Sequence, residues 1–269
     1  MLRRGPIDMD ERSQRGLCGV VLAGGWGTRL LPLTTSTNKH LMPVYDEPMI
    51  CKSVATLARM GITEIMVVLG GYSGNSFFAL LGDGHRYGLD IRYAYQEQAG
   101  GIAEALRLTE GFVGDRCVAV ILGDNVFEKS MKMHSDAFLK DTKNECYLFL
   151  KPVNDPGSFG IAWIDSDGRI VNMEEKPQAS DSNLAITGLY LYTPRVYEMI
   201  DEILETTGYS SRGELEITDI NRLFMEKNLA KGCYFDCHWA DCGTIDALLE
   251  TSVLMRDWNL GPWLPPLRD

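Results

Sequence analysis

Apolar positions along the chain fall into two regimes. Up to Pro152, uninterrupted apolar runs alternate with stretches of helical spacing. Leu17–Leu22, Ile65–Leu69 (IMVVL) and Cys117–Leu122 (CVAVIL) show no polar alternation, which marks strands buried on both faces of a parallel sheet. Ile91–Tyr95 and Cys146–Leu150 read as further strands. Ile50–Met60, stopped at Gly61, Asn75–Leu81, closed by Gly82, Ile102–Thr109 and Met131–Lys140 read as helices between them. Strands alternating with helices predict an α/β fold with a mostly parallel central sheet and helices on both faces.

After Pro152 the pattern turns β-rich. Gly160–Ile164, the turn Asp167-Gly168 and Arg169–Glu175 predict a hairpin, and Ala185–Tyr192 another strand. Arg195–Leu204 and Glu214–Asn228 predict helices, the second with Ile217, Ile220, Leu223 and Phe224 on one face. A strand over Cys233–Trp239 and a helix over Ile245–Arg256 complete the series. No repeat or low-complexity linker interrupts it. The expected organisation is a polar, flexible extension (1–16), one α/β domain with a β-rich lobe (17–256) and a tail (257–269).

Composition narrows the possibilities. At 269 residues and 45% hydrophobic, the chain is ample for a buried core. A net charge of -11 argues against nucleic acid, which needs a broad basic surface, though local cations can still hold a small anion. No apolar run approaches membrane-spanning length, and the first sixteen residues lack the apolar core of a secretory signal. Seven cysteines without small-scaffold spacing suit reduced thiols and a cytoplasmic setting. Cys233, Cys237, His238 and Cys242 lie close enough for zinc, but they lack a CxxC knuckle and two fall on an expected strand, so zinc is the minor reading.

The segment Gly19–Arg29, GVVLAGGWGTR, runs from a strand into glycines and ends on a cation. Glycines let backbone N–H groups approach phosphate. Gly27 is followed by Thr28-Arg29, so the lysine-plus-Ser/Thr of a P-loop is missing. Leu30 stands where a dinucleotide fingerprint needs its third small residue. A structural turn is the competing reading of the glycines alone.

Ligands of open α/β sheets bind at the C-terminal ends of strands. Gln96 and Gly123-Asp124-Asn125 fall at such ends, and Asp241 sits just past another in WADCGT. Two carboxylates brought together can hold a hard cation such as Mg²⁺, with phosphate oxygens completing its shell. Arg29, Lys39, Lys176 and Arg212 have no helical charge partner that explains them. Singly each reads as a surface charge, but together they suit a triphosphate and a second phosphate.

With these residues in view, the chain resembles the sugar-1-phosphate nucleotidylyltransferases, specifically their short-form glucose-1-phosphate thymidylyltransferase branch. The matching segments include VVLAGGWGTRLLPLT, NKHLMPVYDEPMI, VILGDNVFE, MEEKP, SNLAITGLYLY, RGELEITDIN and WADCGT, in family order over about Leu17–Glu250. The resemblance implies a single Rossmann-like nucleotidyltransferase domain with a β-rich sugar-binding lobe. It implies that Leu22 and the Gly24, Gly25, Gly27 and Thr28 backbone, with Arg29 and Lys39, hold the nucleotide and then pyrophosphate. Gln96 and Gly101 would read the base, and Asp124 and Asp241 would hold Mg²⁺. Lys176 and Arg212 would grip the sugar phosphate, with Asn125, Gly160, Glu175 and Ile186 at the sugar. The implied reaction is in-line attack by a sugar 1-phosphate, most naturally glucose 1-phosphate, on the α-phosphorus of dTTP or UTP, without a covalent intermediate. Implied partners are those two substrates, with no nucleic acid or membrane and with room for a homo-oligomer.

The chain departs from the family pattern at Trp26 in the loop, at His40 where long forms carry glutamine, at Phe159 before Gly160, and at Ala240 and Cys242 around Asp241. It also stops where long forms continue into helices used for allosteric control and oligomer contacts. Two rival readings are a dinucleotide-dependent oxidoreductase, which Leu30 disfavours, and a non-catalytic sugar-nucleotide sensor, which the pair of aspartates and the four cations disfavour.

Overall fold

A computed structural model describes residues 16–71 and 74–258. The elements in chain order are β1 (Leu17–Ala23), β2 (Pro43–Val44), β3 (Glu47–Pro48), α1 (Met49–Arg59), β4 (Glu64–Gly70), α2 (Gly74–Leu81) and β5 (Asp90–Gln96). Then come α3 (Ile102–Arg107), α4 (Glu110–Val113), β6 (Cys117–Leu122), β7 (Asn125–Phe127), α5 (Lys132–Lys140) and β8 (Cys146–Pro152). The series closes with β9 (Gly160–Ile164), β10 (Ile170–Glu175), β11 (Leu184–Tyr192), α6 (Arg195–Thr206), α7 (Ile217–Glu226), β12 (Ala230–Tyr234), β13 (Trp239–Asp241) and α8 (Ile245–Trp258). The fold is α/β, as the alternation predicts. Its described residues form two compact units.

The loop unit comprises Gly19–Ala99, Ile121–Lys132 and residues 237–258. Strands β1, β4 and β5 run parallel in that order, with Val20 opposite Met66 and Val67 opposite Tyr93. Val20, Val21, Ile65, Val67 and Val68 are fully buried, the signature of a strand covered on both faces. Helix α1 buries Ile50, Val54 and Leu57 completely, and truncating Leu57 to alanine is expected to cost about 2–5 kcal/mol. A satellite core of Leu30, Met42, Val44, Met49, Val126, Cys242, Leu248 and Met255 ties α8 to the segment after the glycine loop. The buried Lys52 ammonium pairs with Asp46 at 2.8 Å and Glu47 at 2.7 Å, fixing the β2–β3 turn.

The hairpin unit comprises residues 16–18, Gly100–Val120 and Met133–Asp236. Strands β10, β9 and β11 are antiparallel neighbours, β8 pairs antiparallel with β11, and β12 runs parallel to β8. Helix α7 buries Ile217, Ile220 and Phe224, and the Tyr192 hydroxyl donates to Asn221 Oδ1 at 2.6 Å.

Three expected elements differ. The helix over Ile102–Thr109 is interrupted, giving α3 and α4, because the Thr109 hydroxyl donates to the Leu106 carbonyl at 2.7 Å. The helix over Glu214–Asn228 begins only at Ile217, because Leu215 spends its backbone N–H on Gly100 O at 2.7 Å. The strand over Cys233–Trp239 divides: Cys233 pairs with Phe149 in β8, whereas Trp239 pairs with Phe127 in β7. Asp241 therefore ends β13 instead of following a longer strand, and Gln96 is the last residue of β5. The tail expected from residue 257 loses Asp257 and Trp258 to α8. Its remainder and the expected extension up to residue 15 lie outside the described residues. Among the described residues, no helix is long and apolar enough to cross a membrane.

Candidate active site

In the loop unit, β1 ends in a turn with no room for a side chain at Gly24 or Gly27. A Cβ on Gly24 would lie 2.6 Å from Gln96 Oε1, and one on Gly70 would lie 2.5 Å from the Gly24 carbonyl oxygen. Gly27 has φ of +66°, a left-handed conformation that favours glycine, and its Cβ would fall 2.9 Å from Lys39 Cβ. Thr34 Oγ1 donates to the Gly27 carbonyl at 2.8 Å, and the next turn, Thr28–Leu30, is anchored by buried Leu30. The glycines thus let Gln96 and Lys39 pack directly on the loop. Arg29 stays exposed, with its guanidinium against Gly243. Trp26 is also exposed, its ring 3.7 Å from the position a Cβ on Gly71 would take.

Asp124 follows β6 and is buried. Lys39 Nζ donates to its Oδ2 at 2.5 Å and Asn125 Nδ2 to its Oδ1 at 3.1 Å. Asn125 is oriented by Trp239 Nε1, which donates to its Oδ1 at 2.6 Å. Pairing of β13 with β7 sets Asp241 opposite Asn125, and Cys242 N–H donates to the Asp124 carbonyl at 2.9 Å. Gly243 N–H donates to Asp241 Oδ1 at 2.8 Å. Lys39, expected at the phosphates, thus also neutralises the first of the two carboxylates.

The electrostatics are those of a crowded pair. Burial alone would raise the Asp124 carboxyl, but Lys39, His40 and the two donated bonds outweigh it and hold it below the usual range. Burial and the Asp124 charge push the Asp241 carboxyl above that range. His40 is brought down to about 3 by burial and by Lys39, so it is neutral at physiological pH. Its ring packs against Gly123, with Nδ1 2.8 Å from Asn38 Oδ1. A second cation would relieve the Asp124–Asp241 repulsion, and the donors are hard oxygens suited to Mg²⁺. Among the described residues, no group of three or more His, Cys, Asp or Glu is arranged to hold a metal, so substrate or water oxygens must complete such a site. The zinc alternative finds no arrangement either. Every cysteine is buried and outside any disulfide, and Cys242 belongs to the satellite core.

The hairpin unit gathers a second charged cluster. Glu175, at the end of β10, lies opposite Gly160 of β9, and a Cβ on Gly160 would lie 3.2 Å from Glu175 Oε2 and 4.0 Å from Ile186. Thr218 Oγ1 donates to Glu175 Oε2 at 2.7 Å. Lys176 Nζ lies 3.3 Å and Arg212 Nη2 3.5 Å from Glu175 Oε1. Lys176 has φ of +47°, a strained conformation that turns the chain where the strand ends. Arg212 donates through Nε and Nη2 to Glu216 Oε1, at 3.2 and 2.8 Å. Gly101 belongs to this unit, its backbone pressed against Leu215.

The structure therefore groups Leu22, Gly24, Gly25, Gly27, Thr28, Arg29, Lys39, Gln96, Asp124, Asn125 and Asp241 in the loop unit, and Gly101, Gly160, Glu175, Lys176, Ile186 and Arg212 in the hairpin unit. Sequence reading missed Trp239, Thr218 and Glu216, although all three lie inside WADCGT and RGELEITD. The partners of Trp239 and Thr218 are 114 and 43 residues away, whereas Glu216 stands at i+4 from Arg212 and was legible.

The profile of the nucleotidyl transferase family matches residues 18–257. The chain belongs to the nucleotidyl transferase family. A glucose-1-phosphate thymidylyltransferase of Neisseria meningitidis is 37% identical over 250 residues, covering 88% of this chain and 82% of the relative. One from Mycolicibacterium smegmatis is 35% identical over 248 residues, covering 90% and 83%. A crystal structure from Bacillus anthracis, assigned as a glucose-1-phosphate thymidylyltransferase and solved with sucrose, superposes with a TM-score of 0.85 at 40% identity, covering 92% of this chain and 98% of that one. This nucleotidyltransferase thus falls among enzymes whose substrates are a nucleoside triphosphate and a sugar 1-phosphate.

Proposed function

We propose that this nucleotidyltransferase joins dTTP, with UTP as a weaker substrate, to glucose 1-phosphate, releasing pyrophosphate. The observation that carries the reading is the buried Lys39–Asp124 pair with Asp241 across the β7–β13 ladder, in the same unit as the glycine loop. Backbone N–H groups of Gly24–Thr28 and the charge of Arg29 hold the β- and γ-phosphates and then the leaving pyrophosphate. Asp124 and Asp241 would hold Mg²⁺, which when bound would supply charge neutralisation to the reacting phosphates. Gln96 and Gly101 read the pyrimidine. Lys176 and Arg212 hold the sugar phosphate, while Asn125, Gly160, Glu175 and Ile186 meet the sugar.

The attacking phosphate oxygen is already anionic at neutral pH, since the second phosphate pKa is about 6. No general base is needed, and catalysis is positioning plus cancellation of crowded negative charge. Thymine differs from uracil by one methyl, worth only about 1 kcal/mol of burial, which is why UTP use accompanies dTTP. The domain is assigned to residues 17–256, and the seven buried thiols fit a cytoplasmic enzyme. The test is pyrophosphate release across a grid of nucleoside triphosphates and sugar 1-phosphates, with and without Mg²⁺. Metal-dependent release fastest with dTTP and glucose 1-phosphate supports the reading; silence across the grid overturns it.

A further inference from the structure

In the hairpin unit, one short loop touches both the base-reading glycine and the phosphate-gripping arginine. Its backbone clasps the Gly100–Ala103 segment: Leu215 N–H donates to Gly100 O at 2.7 Å, and Ala103 N–H donates to Leu215 O at 3.3 Å. A Cβ on Gly101, whose φ is +99°, would lie 2.6 Å from Leu215 O and 2.7 Å from Leu215 N. Gly101 is bare because the clasp leaves no space beside it. A second, side-chain link runs alongside: the Tyr209 hydroxyl donates to Glu104 Oε1 at 3.2 Å. Glu104 itself folds back over Gly100.

The same loop builds the seat of Arg212. Ser210 Oγ donates to Glu216 Oε1 at 2.7 Å, and Arg212 donates to that same oxygen through Nε and Nη2. Ser210 N–H donates to Glu214 O at 2.9 Å, and Gly213 N–H donates to Ser210 O at 2.8 Å. Gly208 (φ +68°) and Gly213 (φ +74°) bracket the tip, with no neighbour within 4 Å of either Cβ position. Tyr209, Ser211, Arg212 and Gly213 are exposed. Such a segment has few apolar anchors and is costly to order, so its anchoring is set by the clasp and by Tyr209.

We infer that Tyr209 and Glu104 are positioning residues, through which nucleotide bound at Gly101 fixes the loop and so tightens the hold of Arg212 on the sugar 1-phosphate. This rests on the roles proposed above for Gly101 and Arg212. The first ligand to bind meets the ordering cost of the loop, and the second binds to a loop already ordered. The coupling is reciprocal, so either ligand raises the affinity of the other by the same factor.

The test is calorimetric titration of the full chain with glucose 1-phosphate in Mg²⁺, with and without saturating α,β-methylene dTTP. In the wild type the analogue should tighten glucose 1-phosphate at least about fivefold, the lower end of ordinary coupling. In Tyr209→Phe and Glu104→Ala that factor should fall toward one, while each ligand alone binds within about twofold of wild type. Glu104→Gln keeps an acceptor oxygen for Tyr209 and should restore the coupling, which a merely structural role for Glu104 does not require. A coupling factor unchanged in both variants, or a wild-type factor of one, overturns the inference. Arg212→Ala separates the two levels. If it leaves glucose 1-phosphate affinity unchanged, or the wild type binds neither ligand, the proposed function fails as well. If Arg212→Ala weakens binding but the coupling survives in both variants, only the role of the loop falls.

Discussion

The two charged clusters, both proposed above to face phosphate, sit in opposite environments. In the loop unit the Lys39 and Asp124 side chains are 14% and 7% exposed. In the hairpin unit Lys176 and Arg212 are 45% and 40% exposed, around a Glu175 at 26%. A buried ion pair is held by fixed geometry and few alternatives, and removing one member strands the other. Exposed cations on one shared carboxylate lose little when that carboxylate is exchanged for a phosphate. The buried cluster is therefore suited to chemistry on a metal-bound phosphate, and the exposed one to capture and release of a substrate.

Substitutions can break that contrast. The largest effect is expected at Asp124. Asp124→Asn removes a hard, anionic ligand and should lower kcat by about a thousandfold or more, the scale of losing a preorganised charge-stabilising group. Nucleotide affinity should change far less, and steady-state kinetics with a binding titration checks both. Next comes Lys39→Ala, which leaves Asp124 buried and unpaired and should destabilise the fold by about 3–5 kcal/mol in urea unfolding. The corresponding Lys176→Ala should be within about 0.5 kcal/mol of wild type. Equal destabilisation by the two would erase the distinction between the clusters.

A smaller effect tests the electrostatics of the pair. Folded Asp241, with its carboxyl raised, holds its proton where an unfolded aspartate has lost it. The metal-free protein therefore loses stability as pH rises through that raised range. Asp241→Asn removes the repulsion, so at neutral pH it should raise the Tm of the metal-free protein by a few degrees, about 2–4 °C for each kcal/mol relieved. It should also abolish metal-dependent turnover. In the wild type, Mg²⁺ affinity should rise with pH over the same range, because binding displaces the Asp241 proton. A Tm lowered by Asp241→Asn contradicts the assigned repulsion.

Where local pattern decides structure, the sequence was readable. The runs through Val20, Val67 and Val120 are strands because nothing polar interrupts them, and Asp124 is exceptional because it ends such a run. The glycine loop was visible, but its reason was not: Gly24 is bare because Gln96 packs on it, and that partner lies 72 residues on. The helix before Ile217 failed because Leu215 is committed to Gly100, which no local propensity records. The strand at Cys233–Trp239 failed for a related reason, since its two ends find different partners, Phe149 and Phe127. Likewise the four cations were visible as unexplained charges, and only folding showed Lys39 on Asp124. Arg212, however, does have a partner at helical spacing, Glu216 at i+4, which corrects the expectation that it had none.

The division of labour between the clusters is tested most directly by equilibrium binding of each ligand to two variants. Mn²⁺ with α,β-methylene dTTP, followed by electron paramagnetic resonance, and glucose 1-phosphate, followed by calorimetry without nucleotide, report the two sites separately. Asp124→Asn should weaken the Mn²⁺ held with the analogue at least about tenfold and keep glucose 1-phosphate affinity, whereas Arg212→Ala should keep the Mn²⁺ signal and weaken glucose 1-phosphate at least about tenfold, the scale of one charge-assisted contact. Loss of both ligands in either variant, or Mn²⁺ held at wild-type affinity in Asp124→Asn, would contradict it.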